Sequence, residues 1–186
     1  FYDDTYSTHK ARVFEICELI IKNKLDIRYF VNLRADTMTE DLAIALKESG
    51  LILGYLGVES GDQRILEQTG KGESKEEIRK ACAIMRKQKL PFTCSFIIGH
   101  PGDTHESIQA TIDFAKELDS DQVKFLIATP FPGTELYRLA KKLGKIDDID
   151  PMKFDDYTCY QHVAVNLSEV SDEDLLMYQR KAYEEY

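Results

Sequence analysis

No run of about 18 consecutive apolar residues occurs in the chain, which excludes an ordinary membrane-spanning helix. The first residues lack the basic start and apolar middle of a secretory leader, so the expected compartment is the cytoplasm. There is no basic stripe either. The 24 lysines and arginines are scattered among 33 acidic residues, giving a net charge of −9, whereas a nonspecific nucleic-acid surface needs clustered cations to replace counterions. Cysteine is sparse and dispersed: Cys17, Cys82, Cys94 and Cys159 form no C-x-x-C pair. Isolated cysteines are commonly small buried hydrophobes, so these four are expected to form neither a disulfide framework nor a metal site. Also missing are G-x-S-x-G, a Walker lysine motif and H-E-x-x-H, which removes the usual paired nucleophiles and bases. His9, His100, His105 and His162 do not have ligand spacing, and only His100 falls at a candidate site.

What is present is the composition of a soluble globular protein, 43% hydrophobic and 31% charged, in a chain of 186 residues that suits one domain or a piece of a larger one. Apolar residues recur at helical spacing from Val13 to Ile21, after Ser7 or Thr8 as a helix N-cap, and again after Thr39, which predicts a cap there and a stop at Gly50. Ser74 with Glu77 predicts a capping box, and Thr104 a further cap. Between these helices lie strand-like runs at Asp26–Ala35, Leu51–Ser60, Phe92–Gly99 and Asp121–Thr129, preceded by the end of another strand at residues 1–4. Helices and strands alternating in units of roughly 30 residues predict β-α repeats around a parallel sheet. After Gly144 the regularity fails: residues 145–156 read as an acidic loop, 157–165 as an extended segment and 171–186 as an amphipathic helix.

Right-handed crossovers put all strand C-termini on one face, where α/β proteins collect their ligands. The strand ends would then bring together Asp3 and Asp4, Arg34 and Asp36, Glu59 and Ser60, Gly99 with His100, Pro101 and Gly102, and the Thr129–Gly133 turn. Each has an ordinary alternative. Glu59 reads equally as a solvated turn residue, Arg34 as the ion-pair partner of Asp36, and both Pro-Gly stretches as tight turns. Their shared position is the stronger signal. Glycines 99 and 102 allow close backbone approach to a flat or phosphate-like group, carboxylates could hold an amine or ribose hydroxyls, and arginine takes a carboxylate bidentately.

The ordered set F-Y-D-D-T-Y at 1–6, N-L-R-A-D at 32–36, Y-L-G-V-E-S-G at 55–61, F-I-I-G-H-P-G-D-T at 96–104 and T-P-F-P-G-T at 129–134 resembles the core of radical S-adenosylmethionine enzymes. It is most similar to the branch often fused to a cobalamin-binding domain, which includes anaerobic magnesium-protoporphyrin monomethyl ester cyclases and related methylases. The resemblance covers residues 1–150. It implies an α/β fold, a partial parallel (β/α) barrel of TIM type with about five β-α units of a (β/α)6 barrel, followed by a C-terminal extension over 151–186. It also implies S-adenosylmethionine and a [4Fe–4S] cluster as cofactors, cobalamin through another domain, a small-molecule substrate and an electron donor such as flavodoxin or ferredoxin. A 5′-deoxyadenosyl radical would abstract hydrogen from the substrate, as in an oxidoreductase or methyltransferase. By similarity, Glu59 would meet the methionine amino group, Ser60 would be a further cofactor contact, Asp3, Asp4 and Arg34 would contact cofactor or substrate, and Ile98, Gly99 and Pro101 would line the adenine side.

One part of the family pattern is missing. The C-x-x-x-C-x-x-C loop that holds the cluster occurs nowhere in the sequence, and no spacing of the four cysteines replaces it. In the family that loop follows the first strand, so the chain reads as starting at the second, as an inactive fragment of a longer enzyme. Two other readings stand beside it: a cluster-free binding or scaffold domain on the same barrel, and a TIM-barrel lyase or aldolase using Lys124.

Overall fold

A computed structural model describes residues 1, 3–146 and 158–186. Four strands, β1 (Tyr29–Leu33), β2 (Leu51–Glu59), β3 (Phe92–Ile98) and β4 (Gln122–Ile127), form one parallel sheet in sequential order. Before, between and after them run α1 (Lys10–Lys22), α2 (Glu40–Glu48), α3 (Gln63–Gln68), α4 (Lys75–Lys87), α5 (His105–Leu118), α6 (Glu135–Lys142) and α7 (Asp172–Glu185). The predicted caps form: Thr39 accepts from Leu42, Ser74 and Glu77 make the reciprocal box, and Thr104 accepts from Ser107.

The alternation of side chains along the strands decides which face is core. Val31 and Leu33, Leu56 and Val58, Cys94, Phe96 and Ile98, and Phe125 and Ile127 are all buried and meet the helices. Asn32, Tyr55, Gly57, Ser95 and Lys124 alternate with these and face the other way, where no described helix covers them. The result is a curved α/β segment whose open face ends in a rim of strand C-termini.

Three expectations need correction. Residues 1 and 3–5 lie beside β1 without forming a strand, so the described sheet has four strands rather than five. The Asn32 side chain, rather than a backbone ladder, takes the Asp3 carbonyl, and Arg12 takes the Asp3 carboxylate. Ser7 does not cap α1. It sits in a 3-10 turn, Tyr6–Thr8, where its hydroxyl accepts from the Arg34 N–H and the Thr37 hydroxyl, and His9 precedes the helix instead. Residues 158–165 form no strand, although the Cys159 carbonyl accepts from Ile127 N at 2.9 Å. The acidic loop and the boundary at 150/151 fall on residues 147–157, outside the described residues.

The turn leaving β2 is locked onto α5. A Cβ at Gly61 would stand 2.5 Å from the Ala110 carbonyl oxygen, 2.6 Å from Phe114 Cβ and 2.7 Å from Thr111 Cα. Backbone and Cβ atoms cannot swing aside. Gly61→Ala is therefore expected to lower stability by about 1–3 kcal/mol, read as a lower urea midpoint at unchanged slope; an unchanged midpoint contradicts this packing.

Candidate functional site at the strand ends

At the end of β2 the pairing with β3 slips between Gly57 and Glu59, and Glu59 adopts a left-handed backbone with φ of 70°. This conformation is costly for a residue with a side chain and tends to persist at functional positions. It presents the Glu59 carboxylate to the open side. A cleft of about 230 Å³ lies there, lined by Asp4, Asn32, Arg34, Tyr55, Gly57, Glu59, Lys71 and Ser95 among others. A Cβ on residue 57 would stand 2.8 Å from both Glu59 Oε1 and Lys71 Nζ, so glycine there keeps the cleft floor clear. A second cavity, about 380 Å³, continues past Glu59 and Lys71 to Thr69, Ile97 and His100. A third, about 330 Å³, lies between His100, Pro101 and the start of α6, with Leu136 and Leu139 on its wall. The larger groove between α2 and α4, about 430 Å³, is on the helical side and includes no strand-end residue.

Lys71 and Glu73 organise this rim, and neither was singled out from sequence. The Lys71 ammonium donates to the Gly57 carbonyl, lies 3.1 Å from Glu59 Oε1 and 3.0 Å from Glu73 Oε2. The Glu73 side chain is fully enclosed. Its Oε1 accepts from Ala35 N at 2.6 Å and Asp36 N at 3.3 Å, while Oε2 accepts no hydrogen bond and lies 3.0 Å from the Lys71 ammonium. One buried carboxylate thus ties the turn after β1 to the loop carrying Lys71. The only sequence signal was the G-K-G triplet at 70–72, whose glycines both have positive φ.

The sequence candidates separate into three groups. Glu59, Arg34 and Asp4 share the cleft, and Pro101 lines the third cavity. The fork of Arg34 is already occupied, with Nε 3.0 Å and Nη2 2.7 Å from the Asp36 carboxylate and a further bond to the Lys71 carbonyl. That fork holds the Asp36 carboxyl below the usual range. Asp3 is paired with Arg12 at 2.8 Å and does not line the cleft. Ser60 and Ile98 are buried on the helical side, Ser60 against Thr111 of α5, and Ile97 takes the open-face position instead. Gly99, φ 86°, donates to Asp103 Oδ2 at 2.9 Å, as does His100 N, so Asp103 shapes the turn. Burial holds the His100 imidazole below its ordinary pKa against the pull of Asp103 and Glu59, and its buried Nε2 has no partner.

The donor set suits an organic ligand better than a cluster. Cys82 and Cys94 lie side by side in the core with sulfurs 4.0 Å apart, Cys17 is buried near Tyr29 and Ser49, and among the described residues no three cysteine, histidine or acidic side chains converge on a metal position. The chain's described residues therefore do not fit a [4Fe–4S] cluster. The Glu59 carboxylate beside a glycine-cleared floor, with an unpartnered imidazole nitrogen at the next cavity, does fit a ligand with amine, hydroxyl and base groups.

These features define an α/β barrel segment with polar cavities at its strand ends. The family model of the radical SAM superfamily matches residues 3–115, and the chain belongs to that superfamily. It is 41% identical over 170 residues to an uncharacterized methyltransferase, PH0819, of Pyrococcus horikoshii, covering 87% of this chain and 37% of that protein. It is 25% identical over 194 residues to the anaerobic magnesium-protoporphyrin IX monomethyl ester cyclase of Rubrivivax gelatinosus, covering 99% of this chain and 34% of that one. The chain thus spans little more than a third of these relatives. In fold it matches the radical S-adenosylmethionine methyltransferase TsrM of Kitasatospora setae, TM-score 0.69 at 19% identity over 80% of this chain and 31% of that one. No described helix is long and apolar enough to cross a membrane.

Proposed function

We propose that residues 1–186 form the S-adenosylmethionine-binding part of a radical enzyme whose cluster thiolates lie on a segment outside this sequence. The observation that carries this is the rim itself, with Glu59 held out by a left-handed backbone over an uncovered sheet face. Glu59 would hold the ligand's ammonium or ribose hydroxyls, with Lys71 yielding part of its contact. Ile97, Gly99, His100 and Pro101 would flank the adenine. Asp4, Asp36, Glu59 and Glu73 outnumber Arg34 and Lys71 at the cleft, so the rim is net negative. That polarity suits S-adenosylmethionine, whose sulfonium and ammonium outweigh its carboxylate.

The bound cofactor supplies a 5′-deoxyadenosyl radical or a methyl group; this chain's residues hold and orient it. Methyl transfer is supported by the relative at 41% identity, and hydrogen abstraction leading to oxidation by the cyclase-type relative that aligns with nearly the whole chain. The substrate is a small molecule, electrons come from a donor of flavodoxin or ferredoxin type, and cobalamin would be held by another domain. By itself the chain would bind without turnover.

Sequencing the gene upstream of Phe1 tests the enzyme reading. A C-x-x-x-C-x-x-C loop is expected within about 60 residues, the span of one to two β-α units. Its absence would favour a cluster-free binding domain on the same barrel.

A further inference from the structure

Among the described residues, the open face of the sheet carries one lysine without a carboxylate partner, Lys124. Lys124 of β4 is in register with Ser95, and Ser95 with Gly57, so Lys124 belongs to the layer of side chains just beneath Glu59. Its ammonium stands 4.6 Å from the centre of the Tyr55 ring, and Phe30 meets that ring edge-on at 5.9 Å. Among the described residues no acidic group lies within ion-pair distance of it. The other cations at the strand ends are already neutralised, Arg34 by Asp36 and Lys71 by Glu59 and Glu73. The residues sharing the layers with Lys124, among them Tyr55, Thr93, Ser95 and Gln122, are neutral.

Lys124 is a partly buried residue whose ammonium lies over an aromatic ring, and a cation–π contact of this kind leaves its hydrogen-bond donors free for an anion. Parallel sheets are ordinarily covered on both faces. Among the described residues the helices lie on the far side of this face, which lines the inside of the barrel segment beneath the strand ends, so a ligand reaching down from the rim meets Lys124, and its unpaired charge selects that ligand's sign. We propose that Lys124 anchors an oxyanion, carboxylate or phosphate, of a flat apolar substrate that lies against Tyr55 and Phe30. The proposal rests on the function above only in placing this substrate one layer below the cofactor. Lys124 is then a specificity-determining residue, which binds the acid rather than reacting with a carbonyl as an aldolase lysine would.

The test uses the chain without cofactor, so its outcome is independent of S-adenosylmethionine binding. Lysines are reductively methylated with a 13C label, the Lys124 signal is assigned from its loss in Lys124→Met, and 2-naphthoate, 2-naphthyl phosphate and neutral 2-naphthamide are titrated in turn. At least one anion is expected to shift the Lys124 signal saturably, and whichever binds more tightly identifies the substrate's acid. By tyrosine fluorescence, unmodified Lys124→Met should bind that anion about tenfold or more weakly, as loss of a charge-assisted hydrogen bond implies, while Lys124→Arg retains it. Thermal melts of each variant separate loss of binding from loss of fold. Failure of both anions to saturate, equal binding of the amide, or unchanged binding by a folded Lys124→Met would each overturn the proposal.

Discussion

Glu73→Ala is expected to lower the stability of the chain by about 3–5 kcal/mol, the range seen when one partner of a buried ion pair is removed. The size follows from what its carboxylate holds. Oε1 satisfies the N–H groups of Ala35 and Asp36, and Oε2 faces the Lys71 ammonium. Alanine leaves the buried Ala35 N–H and the partly buried Asp36 N–H without this acceptor, and Lys71 with one carboxylate instead of two. Glu73→Gln should cost less, because its side-chain oxygen still accepts from the turn. Urea unfolding of the three proteins checks this, and an alanine variant within about 1 kcal/mol of the parent contradicts the assigned role. The damage should spread to the ligand, since the Arg34 turn and the Lys71 loop are joined through this residue.

Glu59 offers the second large effect, and here stability and binding should move in opposite directions. A left-handed conformation costs a residue with a Cβ about 1–2 kcal/mol, while glycine adopts it freely but loses more chain entropy on folding. Glu59→Gly should therefore fold at least as stably as the parent. It should also lose ligand affinity, about tenfold or more, because the charged partner proposed for the cofactor is gone. Glu59→Gln keeps the strain and the shape but not the charge, so it should lose affinity without gaining stability. A Glu59→Gly variant that is clearly less stable would mean that the carboxylate's pairing with Lys71, and not ligand binding, is why glutamate occupies this position.

The frame of this site was legible because strands and helices obey short-range rules. The caps at Thr39, Ser74 and Thr104 need only local hydrogen bonds, and the alternating units place the strand ends on one side. The finer choices depend on facts no local rule encodes. The run F-I-I-G has no polar alternation, so sequence cannot say that Ile97 and not Ile98 faces the open side. Ser60 follows Glu59 directly, yet the left-handed turn at 59 sends it to α5 instead of the cleft. Lys71 and Glu73 lie 12 and 14 positions beyond Glu59 in sequence, and only the fold of the loop through Gly70 and Gly72 returns them to it. Arg34 was readable as either a ligand contact or a partner of Asp36, and its geometry takes the second role.

The central claim is that the rim around Glu59 holds S-adenosylmethionine. It is tested most directly by equilibrium binding of S-adenosylmethionine to the full-length gene product, reconstituted anaerobically, as parent and as Glu59→Gln, with iron content measured alongside. The account predicts at least about a tenfold loss of affinity at unchanged iron content. Equal affinity in the two proteins would contradict it.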